Sequence, residues 1–264
     1  LLVQREGQPG LFAELQRRLG RKAPGPKIQK EFPVGFFIYD LLEYQGHDLR
    51  HLPLRERRQQ LEQVPLSDPF YLAPVLTESS FDELDRLRQQ ARLHRAEGLM
   101  LKALEGVYKT GRKRGEWWKW KTDPMTLDTV LLYAQAGHGR RANLFTDYTL
   151  GVWDGDTLVP IAKAYSGLTD EEFTRLDRWI KRNTEEKFGP VRKVKLGQVI
   201  ELAFEGISVS SRHKSGIALR FPRIARWRED KPVSEADTLV GAKKLLLETS
   251  VSIPTETPLE NSKR

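Results

Sequence analysis

The chain has 264 residues, of which 39% are hydrophobic and 30% charged, and its formal net charge is +8. No apolar run approaches the roughly 20 residues of a spanning helix, which excludes a membrane protein, and the absence of cysteine excludes disulfides, thiolate zinc sites and cysteine nucleophiles. The basic excess suits a polyanionic partner such as nucleic acid or a nucleotide, and with no secretory signal in the sequence we expect a cytoplasmic protein without a membrane partner.

The first region of the chain, which ends near residue 122, mixes helical and strand patterns. Helices are predicted over 11–19, 54–64 and 80–96, and strands over 34–42, 99–104 and 117–121. A loop with two prolines, residues 21–26, follows the first helix. Ser80 and Glu83 form the pattern of a capping box, which predicts where the third helix begins. The segment Thr122-Asp123-Pro124 then interrupts the pattern and predicts a boundary.

The second region is mostly β. Strands are predicted over 127–134, 143–153, 158–164, 199–204 and 207–211. Asp154-Gly155-Asp156 predicts a hairpin turn, and Thr169 with Glu172 predicts a capped helix over 169–183. Five strands with one inserted helix on a basic chain are typical of a small OB-type barrel. We therefore predict an α+β fold, with a mixed region over 1–122, an OB-fold domain over 123–247 and a disordered tail over 248–264.

Two short segments of the first region carry residue types suited to a nucleotide. Glu97 precedes Gly98 at the start of a strand, where a carboxylate can hold Mg²⁺ or a ribose. The alternative is a plain helix end with Gly98 as its cap. In WWKWK (117–121), strand alternation places Lys119 and Lys121 on one face, where a bound phosphate would offset their repulsion. The alternative is an edge strand protected by lysines.

Three further features each have a functional and a structural interpretation. Tyr39 stands next to an acid in an apolar run, so it either stacks on a purine or belongs to the core. The loop 111–115 contains Lys113 between glycines, and it either clamps phosphates or is a solvated charge run. The segment 219–231 is dense in arginine and aromatic residues, which suits a phosphate chain or a salt-bridged exposed strand.

Taken in chain order, four segments resemble motifs of the ATP-dependent DNA ligases, members of the covalent nucleotidyltransferase superfamily. FFIYDLL (36–42), EGLMLK (97–102), WWKWK (117–121) and LRFPRIARWREDK (219–231) correspond to that family's motifs IIIa, IV, V and VI. The resemblance covers about residues 1 to 247. It implies the carboxy-terminal part of a nucleotidyltransferase (adenylation) domain over 1–122, followed by the OB-fold domain.

The resemblance also implies a role for each candidate residue. Such ligases transfer AMP from ATP to a lysine, then to a 5′-phosphate at a nick, before the 3′-hydroxyl displaces it. By resemblance, Tyr39 stacks on adenine, Glu97 binds Mg²⁺ (or Mn²⁺), and Lys113, Lys119 and Lys121 bind the phosphates. The pyrophosphate would be oriented by a second-domain group comprising Arg220, Arg226, Asp230 and Lys231. The implied substrates are ATP and nicked duplex DNA, and we expect a monomer.

One large departure concerns the nucleophile. The family's lysine lies in a K-x-D-G motif, but the chain's only Asp-Gly is Asp154-Gly155, inside the predicted hairpin turn. A D-G-E motif is missing before Leu1 as well. We therefore expect the carboxy-terminal two-thirds of a ligase core, unable to adenylate itself alone. Two alternatives stay open: a non-catalytic DNA-binding or accessory protein, which the missing lysine favours, and an RNA ligase or capping-type guanylyltransferase, which LRFPR and REDK disfavour.

Overall fold

The structure is a computed structural model, and it describes residues 1–5, 8–10, 12–78, 80–137 and 144–250. The chain divides into two compact units, Leu1–Thr122 and Asp123–Arg264. Within the described ranges, no helix is long and apolar enough to cross a membrane.

The first unit is a small mixed sheet with helices and two separate strand pairs. Its elements are β1 (Leu2–Arg5), β2 (Gln8–Pro9), α1 (Phe12–Leu19), α2 (Pro26–Glu31), β3 (Val34–Ile38), β4 (Glu43–Tyr44), β5 (His47–Asp48), α3 (Leu54–Gln63), β6 (Phe70–Leu72), α4 (Phe81–Gln90), β7 (Gly98–Lys102) and β8 (Trp117–Lys121). The sheet order is β2-β1-β3-β6, with β3 and β6 parallel. Strands β4 and β5 pair with each other, as do β7 and β8, both antiparallel. Val3, Leu15 and Phe32 are buried together between α1 and the sheet.

The second unit is a curled antiparallel sheet around a larger core. Its elements are β9 (Met125–Ala136), β10 (Phe145–Asp154), β11 (Thr157–Ala164), α5 (Asp170–Arg182), β12 (Thr184–Phe188), β13 (Val191–Val194), β14 (Val199–Phe204), β15 (Gly206–Val209), β16 (Ile217–Arg220), β17 (Arg223–Arg228) and α6 (Leu239–Ser250). One edge of β9 pairs with β10, and its other edge pairs with β14 and then β13. This double pairing curls the sheet into the predicted OB-type half-barrel, whose core includes Leu131, Leu150 and Leu202.

Helix α5 is positioned by its cap and by one apolar face. The Thr169 hydroxyl accepts the Glu172 N–H at 3.2 Å, and the Glu172 carboxylate accepts the Thr169 N–H at 2.9 Å. Leu176 and Ile180 are fully buried against the barrel core. The capping box predicted at Ser80 is also present, at the start of α4. Both helix starts therefore follow from local sequence.

The described part of the second unit has nine strands, β9 to β17, where the alternation pattern predicts five. The prediction missed β12 and β13 because their sequences, TEEKF and VRKV, lack an alternation of apolar and polar residues. A cross-strand ion pair helps to join them, with Lys193 Nζ at 2.6 Å from the Glu186 carboxylate. Strand β16 was not predicted, whereas β17 lies in the segment 219–231, for which a salt-bridged exposed strand was one of the two interpretations.

Two predicted elements end at least four residues earlier in the structure. Helix α4 ends at Gln90 instead of 96, because the following turns tighten to i→i+3 hydrogen bonds and Arg95 adopts a left-handed φ of 57°. Strand β3 ends at Ile38 instead of 42, since the Asp40 carboxylate accepts the Leu41 N–H at 2.8 Å and turns the chain locally.

Two segments predicted to be irregular contain helix. Pro26 is the first residue of α2, where its fixed φ favours a helix start, although the sequence predicts it as the end of a loop. Residues 248–250, predicted within a disordered tail, close α6. The prediction for 251–264 lies outside the described residues.

Candidate functional site

The β7–β8 pair has two chemically different faces. Cross-strand register and alternation place on one face Gly98, Met100 and Lys102 of β7 with Trp117, Lys119 and Lys121 of β8. On the opposite face, the centroid of the Trp120 ring lies 6.1 Å from that of Phe81 in α4 and 5.5 Å from the Arg88 guanidinium carbon. The first face instead contacts Tyr39, whose ring centroid is 6.0 Å from that of Trp117. The helix therefore supports one face and leaves the lysine-bearing face open.

Lys119 and Lys121 lie on that open face, as the alternation predicts. Both side chains are exposed, and among the described residues neither ammonium group has an acidic partner. Two cations at i and i+2 repel each other unless an anion lies between them. Among the described residues, strand β8 pairs with β7 alone, so the alternative of an edge strand protected by lysines also fits the topology.

Gly98 is required by close strand packing, and the interpretation of this glycine as a helix cap is wrong. Helix α4 ends at Gln90, and Gly98 is the first residue of β7 with a φ of 137°. A Cβ added there would lie 2.2 Å from the Trp120 carbonyl oxygen, so no larger residue fits. The glycine thus lets β7 start directly against β8 and places Glu97 at the end of the pair, where its carbonyl accepts the Thr122 N–H at 3.0 Å.

Tyr39 follows β3 and is 53% exposed, so it is not a core residue. The Lys102 ammonium lies 4.1 Å from the centroid of its ring and 4.3 Å from that of Trp117. Burial lowers the pKa of Lys102, and the nearby Asp40 carboxylate opposes that shift. A cation over one aromatic face draws electron density from the ring and favours stacking of an electron-rich base on its exposed surface. Lys102 belongs to the quoted segment EGLMLK (97–102), and strand alternation from Gly98 predicts its face, but its contact with the two rings was not predicted.

Asp40 and Arg57 form a buried bidentate ion pair that anchors the residue next to Tyr39. The two Arg57–Asp40 contacts are 2.8 and 2.9 Å, and the side chains are 0% and 5% exposed. Arg57 also donates to the Leu52 carbonyl at 2.5 Å. The sequence analysis did not predict this ion pair, although each partner is a charged residue in an otherwise apolar pattern. Asp40 is the one acid of an apolar run, and Arg57 lies on the α3 face that buries Leu54 and Leu61.

Two other predicted site residues are solvent-facing. Lys113 is exposed in the loop between β7 and β8, and Glu97 is exposed just before β7. Within the described residues, no group of three His, Asp or Glu side chains is arranged to hold a metal ion.

The four motif VI residues lie in the second unit. The Arg220 guanidinium is 5.1 Å from the Phe221 ring, and Arg226 pairs with Glu201 at 3.3 Å. Asp230 accepts hydrogen bonds from Arg228, whose guanidinium lowers the pKa of that carboxyl to about 2. Arg220 is the last residue of β16, Arg226 lies within β17, and Asp230 and Lys231 follow the end of β17.

Asp128 is the centre of a charged cluster that includes the end of this motif. Lys231 Nζ lies 2.7 Å and an Arg228 nitrogen 2.9 Å from the same Asp128 oxygen. The Asp128 N–H donates to the Asp237 carboxylate at 2.7 Å. The hydrogen bond to Asp128 raises the pKa of Lys231. Motif VI is therefore held partly by ion pairs within its own unit, which the salt-bridged alternative predicts.

Comparisons with known protein families match each of the two units to a separate domain model. Residues 1–121 match the model of the ATP dependent DNA ligase domain, and residues 141–231 match the ATP dependent DNA ligase C terminal region. The chain belongs to the ATP-dependent DNA ligase family. The recognition made from motifs IIIa to VI is thus confirmed.

Two curated relatives show how much of a ligase this family member spans. A "Probable DNA ligase" of Koribacter versatilis is 39% identical over 269 residues, an alignment covering 93% of this chain and 47% of the relative. A "Probable DNA ligase" of Opitutus terrae is 39% identical over 278 residues, covering 93% of this chain and 27% of the relative. The ligase-family chain therefore spans less than half the length of each.

Solved structures support the fold. A structure from a structure–function study of Lig E DNA ligases superposes with a TM-score of 0.51 at 18% identity, covering 74% of this chain and 63% of that chain. Together with the family models, this likeness confirms the predicted fold class, a partial nucleotidyltransferase domain followed by an OB-fold barrel.

Proposed function

We propose that this chain provides the phosphate-binding strand pair and the OB-fold domain of an ATP-dependent DNA ligase, which seals nicks in duplex DNA through enzyme–AMP and DNA–AMP intermediates. We further propose that it acts in the cytosol and as a monomer. One observation carries the proposal: Tyr39, Lys119 and Lys121 border the same open face of β7–β8. An aromatic ring beside two unpaired cations suits a base attached to a phosphate.

Each residue has a defined task in this proposal. Tyr39 stacks on adenine, while Lys119 and Lys121 neutralise the α-phosphate during transfer. Lys113 approaches the phosphates from its exposed loop. The motif VI group, defined as Arg220, Arg226, Asp230 and Lys231, orients the pyrophosphate. Phosphoryl-type transfer depends mainly on positioning and charge neutralisation, which this set of side chains provides.

Glu97 fits the binding mode that Mg²⁺ or Mn²⁺ adopts beside phosphates. Mg²⁺ is usually held by one or two carboxylates together with substrate phosphates and water. One exposed carboxylate at the end of β7, without a surrounding cluster of acids among the described residues, suits that mode. When bound, the ion supplies positive charge to the transferring phosphate.

The first prediction concerns the nucleophile. Because the sequence has no K-x-D-G motif, the chain alone is expected to form no covalent AMP adduct when incubated with labelled ATP and Mg²⁺. Denaturing electrophoresis after incubation measures the adduct. An acid-labile labelled band from the chain alone would mean that another lysine serves.

A chimera that restores the missing lysine motif is the positive control for this experiment. The segment of the Koribacter versatilis relative that precedes the aligned region is joined ahead of Leu1. We expect this chimera to become labelled and to seal a nicked duplex. A correctly folded chimera that binds nicked DNA but neither labels nor seals would contradict the proposed enzymatic function.

A non-catalytic DNA-binding role is the second candidate, and the missing K-x-D-G lysine favours it. In either case, the chain is expected to bind duplex DNA weakly, with affinity that falls steeply as salt rises, because its +8 charge releases counterions from phosphates. Arg212 and Lys214, which flank His213, are exposed cationic candidates, whereas the predicted cluster Arg140–Arg141 lies outside the described residues. Titrations between 50 and 200 mM salt, about the range over which phosphate contacts weaken strongly, measure the slope. A flat profile would overturn the electrostatic interpretation.

Lys102 gives a further prediction for the nucleotide site. Lys102→Met removes the ammonium between Tyr39 and Trp117 and is expected to weaken ATP binding by about threefold to thirtyfold, the range of a cation–π contact. Lys102→Arg keeps a cation over the rings and should retain most of the affinity. Calorimetric titration with ATP compares the variants. If Lys102→Met and Lys102→Arg lose ATP affinity equally, the positive charge at this position has no role in holding Tyr39.

A further inference from the structure

A second cationic site lies in the OB-fold unit, and none of its lining residues belongs to motifs IIIa, IV, V or VI. A cavity of about 330 Å³ opens between the end of α5, β12–β13 and the facing ends of β9 and β10. Three of its lining side chains are basic, Lys181, Lys187 and Arg192, and none of the lining residues is acidic. Phe145 contributes an apolar wall.

The strand register brings two of these cations directly opposite each other. Lys187 of β12 pairs with Arg192 of β13, so both side chains leave the same face of the hairpin. The next pair, Glu186 with Lys193, leaves the other face and forms an ion pair at 2.6 Å. One face of the hairpin is therefore charge-matched, whereas the cavity face carries cation against cation, an arrangement that a bound anion would stabilise.

Two of the three cations are held in place by the protein. Arg192 donates to the Gly189 carbonyl at 2.6 Å and the Val191 carbonyl at 3.0 Å, and its guanidinium lies 5.9 Å from the Phe145 ring. Lys181 pairs with Asp177 at 2.6 Å. Lys187 is exposed, and across the described ranges it has no ion-pair partner. The site thus combines fixed donors with one available ammonium group.

We propose that Lys187 and Arg192, supported by Lys181, form a phosphate-binding site at this end of the barrel. The ligand chemistry is a phosphate group, either from a DNA backbone or from a free anion such as pyrophosphate. Occupancy by DNA rests on the proposed function, whereas binding of a free phosphate anion does not. The rival explanation is that Lys187 protects β12, the outer strand of its sheet, from pairing with another chain.

The test uses the whole chain and three variants. Lys187→Glu places an acid opposite Arg192, so it should stabilise the hairpin while removing the phosphate site. Lys187→Ala removes the charge alone. Lys193→Ala is the matched control, because it removes one lysine from the same hairpin on the opposite face. Each protein is titrated with pyrophosphate and with nicked duplex over a range of salt.

If this site binds phosphate, Lys187→Glu and Lys187→Ala should each bind pyrophosphate, nicked duplex or both about tenfold more weakly, as expected for loss of a charged hydrogen bond. If DNA is the source, Lys187→Ala should also lower the salt slope by about 0.9, equivalent to one phosphate contact. A loss confined to pyrophosphate supports a free anion as the source. The control should change neither titration.

Two results would overturn the proposal. Equal weakening by Lys187→Ala and Lys193→Ala would show a general charge effect, and unchanged binding of both probes by the Lys187 variants would leave strand protection as the explanation. Light scattering would then detect self-association of Lys187→Ala. Failure of the chimera to seal nicks would count against the proposed function, but the pyrophosphate titration would still decide this site.

Discussion

Replacing Lys119 or Lys121 by alanine in the chimera is expected to slow adenylation or nick sealing by about a hundredfold or more. Removing one charge stabiliser at a transferring phosphoryl group typically costs about 3–4 kcal/mol of transition-state stabilisation. Both side chains lie on the open face of β8 beside Tyr39, where a phosphate attached to a stacked base would reach them. Single-turnover rates of AMP transfer measure the effect.

The same variants separate the phosphate role from strand protection. The free energy of unfolding should change by only tenths of a kcal/mol, because relieving repulsion between exposed like charges is a small effect. Lys27→Ala is a suitable control, since Lys27 is an exposed lysine of the same unit in α2. Near-normal transfer rates in the Lys119 and Lys121 variants, together with increased self-association, would establish edge protection instead.

Breaking the buried pair of Asp40 and Arg57 is expected to give the largest loss of stability. Arg57→Met leaves the Asp40 carboxylate buried without its guanidinium, and removing one partner of such a pair typically costs about 3–5 kcal/mol. Asp40→Asn should have a smaller effect in the same direction, because the amide oxygen still accepts a hydrogen bond. Urea denaturation followed by tryptophan fluorescence measures the free energy of unfolding.

The control for this prediction is an exposed ion pair made by a second arginine of the same helix. Arg55 contacts Glu105 at 2.6 Å, but both side chains are more than half exposed, so Arg55→Met should cost about 0–1 kcal/mol. A double variant, Arg57→Met with Asp40→Asn, should recover part of the loss because no unpaired charge stays buried. If Arg57→Met lowers the free energy of unfolding by no more than Arg55→Met does, burial of the Asp40–Arg57 ion pair makes no added contribution to stability.

Local sequence predicted the parts of the candidate site that depend on near neighbours. Strand alternation placed Lys119 and Lys121 on one face, and the capping boxes at Ser80 and Thr169 marked two helix starts. These features follow from backbone geometry within two to four residues, so the sequence contains all the information they need. Motif order likewise identified the family, since it is a property of the chain itself.

The other features of the candidate sites depend on contacts between residues that are distant in the sequence. Arg57 and Asp40 are 17 residues apart, and the helix periodicity that buries one gives no sign of the other. Lys102 of β7 lies between the ring of Tyr39, which follows β3, and the ring of Trp117 in β8, so three separate segments form this contact. Strands β12 and β13 form without apolar alternation, and their register alone places Lys187 against Arg192. The sequence by itself therefore determined the family, the helix caps and the lysine face, whereas contacts between distant segments, whose free energies depend on burial and register, were decided by the tertiary structure.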